Sequence, residues 1–392
     1  MQRNRSISRK NPYVKSGIPG HRAPGGRRMG GARRAIRLLL LLAGALAMLA
    51  LLVYGIVSIL GGGPSLVRIN ALPSYNIQAF GENVLYYDGT TLTCVEPNGQ
   101  IKWRFTLGAG ADYSTDGEHV VAWVGNQLYV LDRNGLSSFN DRMDSAVRFA
   151  RIGDTYVAAC LAGETETTAT VRVMDHDGTL LENTAVDDLY VLDIGFFHAN
   201  GPLMWVLSLD IEGTAPISNL TTYEPGKRIT GAVDLNNKLV YNIYVHNNLL
   251  MLADTSNIRA YDYQCVEQTD LGNVLIYGWR VESSRQVGRS TTYALLEPMA
   301  SAPSGATFSE LRLVNNYTPI SMRLLSPCFA SGLNSRGVYA FGSNVIYHAA
   351  YGQKTFQATY LSYTLTDYIC MLEGGRAVLV SGNDVFILKL PT

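Results

Sequence analysis

Residues 66–392 are predicted to fold as an all-β propeller of eight four-stranded blades, with seven as the alternative, and three observations carry the prediction. The stretch is made of short runs of Val, Ile, Leu, Tyr and Thr broken by Asn-Gly and Asp-Gly turn signals, with no segment of helical period. One pattern of strands around a tight turn recurs: its glycines Gly99, Gly135 and Gly178 are spaced by 36 and 43 residues, close to the ~40 of a four-stranded blade. The last copy runs out of chain after three strands, while a spare strand, 66–72, stands ahead of the first copy. Joining the two closes the ring and removes the exposed edges that invite aggregation.

Ahead of the propeller, residues 1–37 hold eleven Lys and Arg and no acid; the first acidic residue is Glu82. Gly, Pro, Ser and Arg dominate there, so the tail buries too little apolar surface to fold and is expected to be disordered. Residues 38–60 follow as an uncharged run of 23, fourteen of them Leu, Ile or Val. A helix of that length spans roughly 35 Å, enough for the ~30 Å hydrocarbon core, and is read as one transmembrane span. Basic residues beside a span stay cytoplasmic, which puts residues 61–392 outside the cell. A cleaved signal peptide competes with this reading, since Ala45-Leu46-Ala47 has the form of a cleavage site. Against it, the basic region is long and thirteen further membrane-compatible residues follow Ala47. Gly61-Gly62-Gly63-Pro64 then ends the helix, leaving a short linker over 61–65.

All 32 acids and 21 of the 32 bases lie after the span, so a chain of zero net charge divides into a basic tail and an outer part of formal charge −11. The tail is expected to lie near anionic lipid headgroups, each nearby Lys or Arg contributing about 1 kcal/mol. Arg-rich segments also bind nucleic acid, but a topology determinant with lipid contact accounts for this tail, and no nucleic-acid partner is expected.

In the propeller, strands 84–87, 92–96 and 101–105 make the first copy, 120–124, 127–132 and 136–139 the second, and 156–161, 170–175 and 179–183 the third. Looser copies follow: 203–209 with 220–223, 249–253 with 258–263, 292–296 with 311–314, and 338–341 with 345–348. Strands 368–373, 376–381 and 385–390 form the incomplete last one.

The stretch Val95-Glu96-Pro97-Asn98-Gly99-Gln100-Ile101-Lys102-Trp103 resembles the repeat of quinoprotein-dehydrogenase-like (PQQ-like, WD40-like) propellers, whose blades carry an alanine, an acid or polar residue, Gly-Lys and then Trp. Phe139 stands in place of the second Trp, and the third copy has no aromatic there. The chain as a whole resembles an uncharacterised membrane-anchored family of Gram-positive bacteria. The resemblance implies the fold, which does not fix an activity. Quinoprotein dehydrogenases use a vicinal cysteine pair, a calcium site and a Trp under the cofactor. Here no Cys-Cys pair occurs, and no partner motif singles out Trp103, Trp123, Trp205 or Trp279.

The five cysteines, Cys94, Cys160, Cys265, Cys328 and Cys370, are dispersed and odd in number, a poor disulfide framework, although a Cys328–Cys370 bridge between neighbouring blades stays open. Asp175-His176-Asp177-Gly178 has a calcium-loop look, but its counterparts Asp132-Arg133-Asn134-Gly135 and Glu96-Pro97-Asn98-Gly99 occupy the same place in their copies, and a tight turn explains all three. His119, His176, His198, His246 and His348 show no metal-ligand spacing, and no nucleophile-elbow, zincin or phosphate-loop motif occurs. No catalytic, cofactor-binding or metal-ligating residue is therefore named, and no cofactor is expected.

Three connections between second and third strands exceed what a hairpin requires: 162–168, 211–215 and 298–306. Loops of that length are often functional. The first two carry Glu164, Glu166 and Glu212, with Asp210 beside them, an expected acidic, adaptable rim on one face for a basic protein or polymer of the cell envelope. The loop 283–290 is the candidate on the other face. The function expected is a non-catalytic binding or scaffolding module; the competing class is a propeller enzyme, a quinone-cofactor oxidoreductase or metal-dependent hydrolase, working in the central channel.

Overall fold

In the computed structural model, eight four-stranded antiparallel sheets follow one another along the described residues. Those residues are 66–392 apart from 198–202, 237, 289–290, 300–306 and 316, together with Gly44 and Met48. The expected tail 1–37, span 38–60 and linker 61–65 lie outside them, save Gly44 and Met48, which are helical. No helix of the described residues is long and apolar enough to cross a membrane.

Blade 1 comprises Asn76–Phe80, Asn83–Tyr87, Thr91–Val95 and Ile101–Thr106, and blade 2 Asp112–Thr115, Val120–Val124, Gln127–Leu131 and Ser137–Arg142. Blade 3 comprises Val147–Ile152, Tyr156–Ala162, Ala169–Asp175 and Leu180–Val186, and blade 4 Tyr190–Phe196, Met204–Asp210, Ile217–Glu224 and Arg228–Asp234. Blades 5, 6 and 7 open on Asn242–His246, Trp279–Val287 and Ala330–Asn334. Blade 8 takes Asp367–Leu372, Arg376–Ser381 and Asp384–Lys389 from the C-terminal end, and its outer strand is Leu66–Ile69. The spare strand thus closes the ring, although residues 70–72 do not extend it.

Because the strands alternate in direction, the turns joining strands 1 to 2 of every blade, and 3 to 4 of blades 1 to 7, emerge on one face, here called the turn face. Connections from strand 2 to 3 and from blade to blade emerge on the opposite, loop face. Leu66 pairs with Leu388 and Ile69 with Val385, so the chain enters the ring at the turn face.

The core lies between blades. Ile69, Val378, Val385 and Ile387 of blade 8 pack with Ile77, Val84, Tyr86 and Val95 of blade 1. Between blades 1 and 2, Phe80, Leu85, Leu92 and Trp103 meet Tyr113, Val120, Ala122 and Leu131.

The recurring turn glycines have a second role here besides their positive φ. Gly135 (φ +75°) lies under the Trp103 ring of the preceding blade, so close that a Cβ would come within 2.6 Å of it. Trp103 Nε1 also donates to the Arg133 carbonyl at 3.0 Å. Gly178 (φ +87°) repeats the arrangement beneath Phe139, where a Cβ would meet the ring at 2.1 Å. A flat side chain on one blade's outer strand therefore docks on the bare backbone of the next blade's turn, and this spacing is what the sequence repeat records.

Two expectations are corrected. Residues 283–287 are not a loop but belong to strand Trp279–Val287, and of the rest of that candidate 289–290 lie outside the described residues. Cys328 ends the outer strand of blade 6 while Cys370 lies in the first strand of blade 8, so the two are not on equivalent strands of neighbouring blades. All five cysteines are free. Burial pushes the thiols of Cys94, Cys328 and Cys370 up to about 12 and that of Cys160 up to about 11, which keeps them protonated and unreactive.

Candidate binding rim on the loop face

The 162–168 connection of blade 3 and the 211–215 connection of blade 4 are neighbours on the loop face. Glu164 and Glu212 are exposed, the Glu166 side chain is 82% exposed, and Asp210 is half-buried at the end of its strand. Asp210 Oδ1 accepts the Glu212 amide at 3.0 Å, which fixes the start of that loop.

The blade 3 loop is braced rather than adaptable. Gly163 N donates to the Thr168 carbonyl at 3.0 Å and Thr165 N to Thr168 Oγ1 at 2.9 Å. From below, Arg148 donates to the carbonyls of Glu166 (2.8 Å) and Thr165 (2.7 Å), with Nη2 3.9 Å from Glu166 Oε2. The same guanidinium lies 5.8 Å from the centre of the Tyr190 ring in blade 4. Five hydrogen-bond donors on a planar group let one arginine hold a loop and an aromatic together.

Loop and strands flank an open cleft of about 590 Å³, walled by Gly163, Glu164 and Glu166 and lined by Arg148, Phe149 and Tyr190. It combines an acidic lip, aromatic surface and one guanidinium already engaged with backbone oxygens. This suits a ligand with both cationic and apolar parts.

Two more acids belong to the rim that loop length did not reveal. Asp187 and Asp188 occupy the connection from blade 3 to blade 4 and are exposed, Asp188 with φ +61°. Leu189 N, next in the chain, donates to the Thr167 carbonyl at 3.0 Å and ties this connection to the blade 3 loop. The signal was available, since connections between blades open on the same face as 2-to-3 loops. Arg148 and Tyr190, by contrast, sit in strand runs with nothing local to distinguish them. The third long loop falls mainly, at 300–306, outside the described residues.

Charge is distributed differently on the two faces. Among the described residues no ion pair reaches Glu164, Asp187, Asp188, Asp210 or Glu212. At the turn face, a cavity of about 670 Å³ has Glu82, Asp116, Glu118, Asp154 and Glu373 in its wall, and of these Asp154 alone has no ion pair among the described residues. There Glu118 pairs with Arg133, Glu82 lies 3.7 Å from Arg376, and Glu373 lies 3.9 Å from Arg285.

Further inside, a cavity of about 410 Å³ is lined by the first strands of blades 2 to 6, among them Arg151, Gly195, Tyr244 and Ser284. Arg151 is tied to Asp193 at 2.8 Å. In blade 6, Glu297 is 5% exposed and held by Arg280 (3.1 Å) and by Ser331 of blade 7 (2.7 Å). Glu282 shares Arg280 at 3.1 Å; burial, then the Glu297 charge, raises its carboxyl above the usual range. Glu297 thereby links blade 6 to blade 7.

The fold is similar to that of Sqt1 from Saccharomyces cerevisiae, at 10% identity over 81% of this chain and 98% of that one, with a TM-score of 0.53. BamB from Moraxella catarrhalis aligns at 11% identity over 83% and 96% (TM-score 0.47), and the Pan2 WD40 domain from Neurospora crassa at 8% over 85% and 90% (0.45). No protein-family model and no curated protein matches the sequence. The described residues of 66–392 form an eight-bladed β-propeller, and identities this low speak to the fold alone.

Proposed function

We propose that the chain is a single-pass membrane protein, basic tail inside and propeller outside, of the Gram-positive membrane-anchored type that its sequence resembles. The propeller acts as a non-catalytic binding or scaffolding module of the cell envelope, and its loop face receives a basic protein segment or cationic polymer. One observation carries this reading: Glu164, Asp187, Asp188, Asp210 and Glu212 stand together on the loop face with no ion pair among the described residues, beside a braced, aromatic-lined cleft where Glu166 alone approaches a guanidinium, whereas Glu82, Glu118 and Glu373 at the turn face each lie against an arginine. Unmatched surface charge raises encounter rates and partner discrimination more than it changes the stability of the fold. The strand Leu66–Ile69 begins at the turn face, opposite the rim.

The test compares wild type with a Glu164→Gln, Glu166→Gln, Glu212→Gln variant of the full chain, crosslinked in intact membranes. The variant is expected to lose the wild-type adduct and its salt dependence while melting at the same temperature. An adduct of unchanged yield and salt dependence contradicts the reading.

A further inference from the structure

His119 and His176 have no spacing in the sequence that suggests a pair, yet the fold puts their ring centres 4.4 Å apart with the planes tilted by 54°. His119 comes from the turn between strands 1 and 2 of blade 2, and His176 from the turn between strands 3 and 4 of blade 3, so both lie at the turn face. Each ring is held through one nitrogen. His119 Nδ1 lies 3.2 Å from Asp116 Oδ2, and His176 Nε2 lies 2.9 Å from the Gly153 carbonyl oxygen. An ionised carboxylate and a carbonyl only accept, so those two nitrogens carry the protons. The lone pairs of the neutral rings are therefore on His119 Nε2 and His176 Nδ1.

The supports are themselves fixed. The Asp116 side chain is 7% exposed, and its Oδ1 accepts the amides of Glu118 and His119, both at 2.7 Å. Thr115 Oγ1 donates to the His119 carbonyl at 2.7 Å. On the other side, the His176 carbonyl accepts Ser138 Oγ at 2.6 Å, and Asp175 Oδ1 takes the amides of Asp177 and Thr179 at 3.0 and 2.8 Å. An imidazole whose outer N–H is bound by a carboxylate or a backbone carbonyl is the arrangement that orients metal-ligating histidines and raises their basicity.

We propose that His119 Nε2 and His176 Nδ1 form a two-imidazole site for a borderline divalent transition-metal ion, Zn²⁺, Ni²⁺ or Cu²⁺, that clamps blade 2 to blade 3. Nitrogen donors favour these ions, whereas Ca²⁺ and Mg²⁺ require oxygen cages. Among the described residues no group of three or more His, Cys, Asp and Glu is placed to hold a metal. The site therefore supplies two ligands, leaves the other positions to solvent or a bound partner, and holds its ion reversibly.

The test is Cu²⁺ titration of the full chain in detergent, read by electron paramagnetic resonance and calorimetry, in a His21→Ala background that removes the only tail histidine. The expected result is one Cu²⁺ per chain with nitrogen ligation that weakens at least tenfold in both His119→Ala and His176→Ala. Asp116→Asn should weaken it by roughly 10- to 100-fold. If an alanine variant fails to fold, His119→Gln and His176→Gln serve in its place, and Zn²⁺ should raise the melting temperature of wild type but of neither glutamine variant. Cu²⁺ affinity unchanged in both histidine variants, or no stoichiometric binding to wild type, overturns the site.

Discussion

Truncating Ile69 to alanine tests whether the N-terminal strand closes the ring. Ile69 is 3% exposed and sits in the layer between blades 8 and 1, against Val378, Val385 and Ile387 on one side and Ile77, Val84 and Tyr86 on the other. Removing such a side chain costs about 2–5 kcal/mol, the transfer term plus the cavity left behind. At about 2.1 cal/mol/K of unfolding entropy per residue, residues 66–392 make 1 kcal/mol worth about 1.5 °C, so Ile69→Ala should lower Tm by about 3–7 °C. Leu66 is 36% exposed, and Leu66→Ala should cost well under half as much. Deleting 66–69 also uncovers the edge carrying Val385, Ile387 and Leu388, each at most 1% exposed, and should bring aggregation as well as a larger loss. Circular dichroism melts of the full chain in detergent supply the numbers. An Ile69→Ala variant that melts within about 1 °C of wild type, or no lower than Leu66→Ala, refutes closure by this strand.

Gly178→Ala should destabilise by about 2–5 kcal/mol, since it combines an unfavourable positive φ with a Cβ at 2.1 Å from the Phe139 ring. Gly352→Ala, at the same φ of +87° with open space around it, should cost only the backbone share of about 1–2 kcal/mol; equal losses in urea melts would deny the blade-docking role. His246 is buried and its Nδ1 accepts the Thr292 amide at 3.2 Å, and burial lowers its pKa, as it does that of His348. The unfolded chain then takes up protons first. Stability should be full above about pH 6.5 and fall as the pH drops below it, with a shallower fall in His246→Gln; a melting temperature that rises on acidification, or an identical slope in the variant, contradicts this.

Much of the fold was legible because the second and third strands of each blade are buried on both sides and read as apolar runs, such as 120–124 and 156–161. First strands were not, because they face the channel and mix in polar residues. Asn76–Phe80 and Asp112–Thr115 carry Asn76, Gln78 and Asp112, and Trp279–Val287 carries Ser283, Ser284, Arg285 and Gln286, which read as a loop. The turn glycines betrayed the blade period because the close approach of Trp103 and Phe139 tolerates no side chain beneath them. At the rim, Glu164, Glu166, Asp210 and Glu212 were found through loop length, a local property. Asp187 and Asp188 required knowing which connections share a face, and Arg148 and Tyr190 required the contact between blades 3 and 4. The His119–His176 pair likewise exists only across two blades and leaves no trace in spacing.

The most direct test of a binding function for the loop face is site-specific photocrosslinking in intact cells, with a photoreactive residue at position 164 or 212, or at exposed Asn98 on the turn face. The same discrete adduct is expected from 164 and 212, diminished by raised salt, and none of that mass from 98. An adduct from 98 with none from 164 or 212, or no adduct from any of the three, contradicts that function.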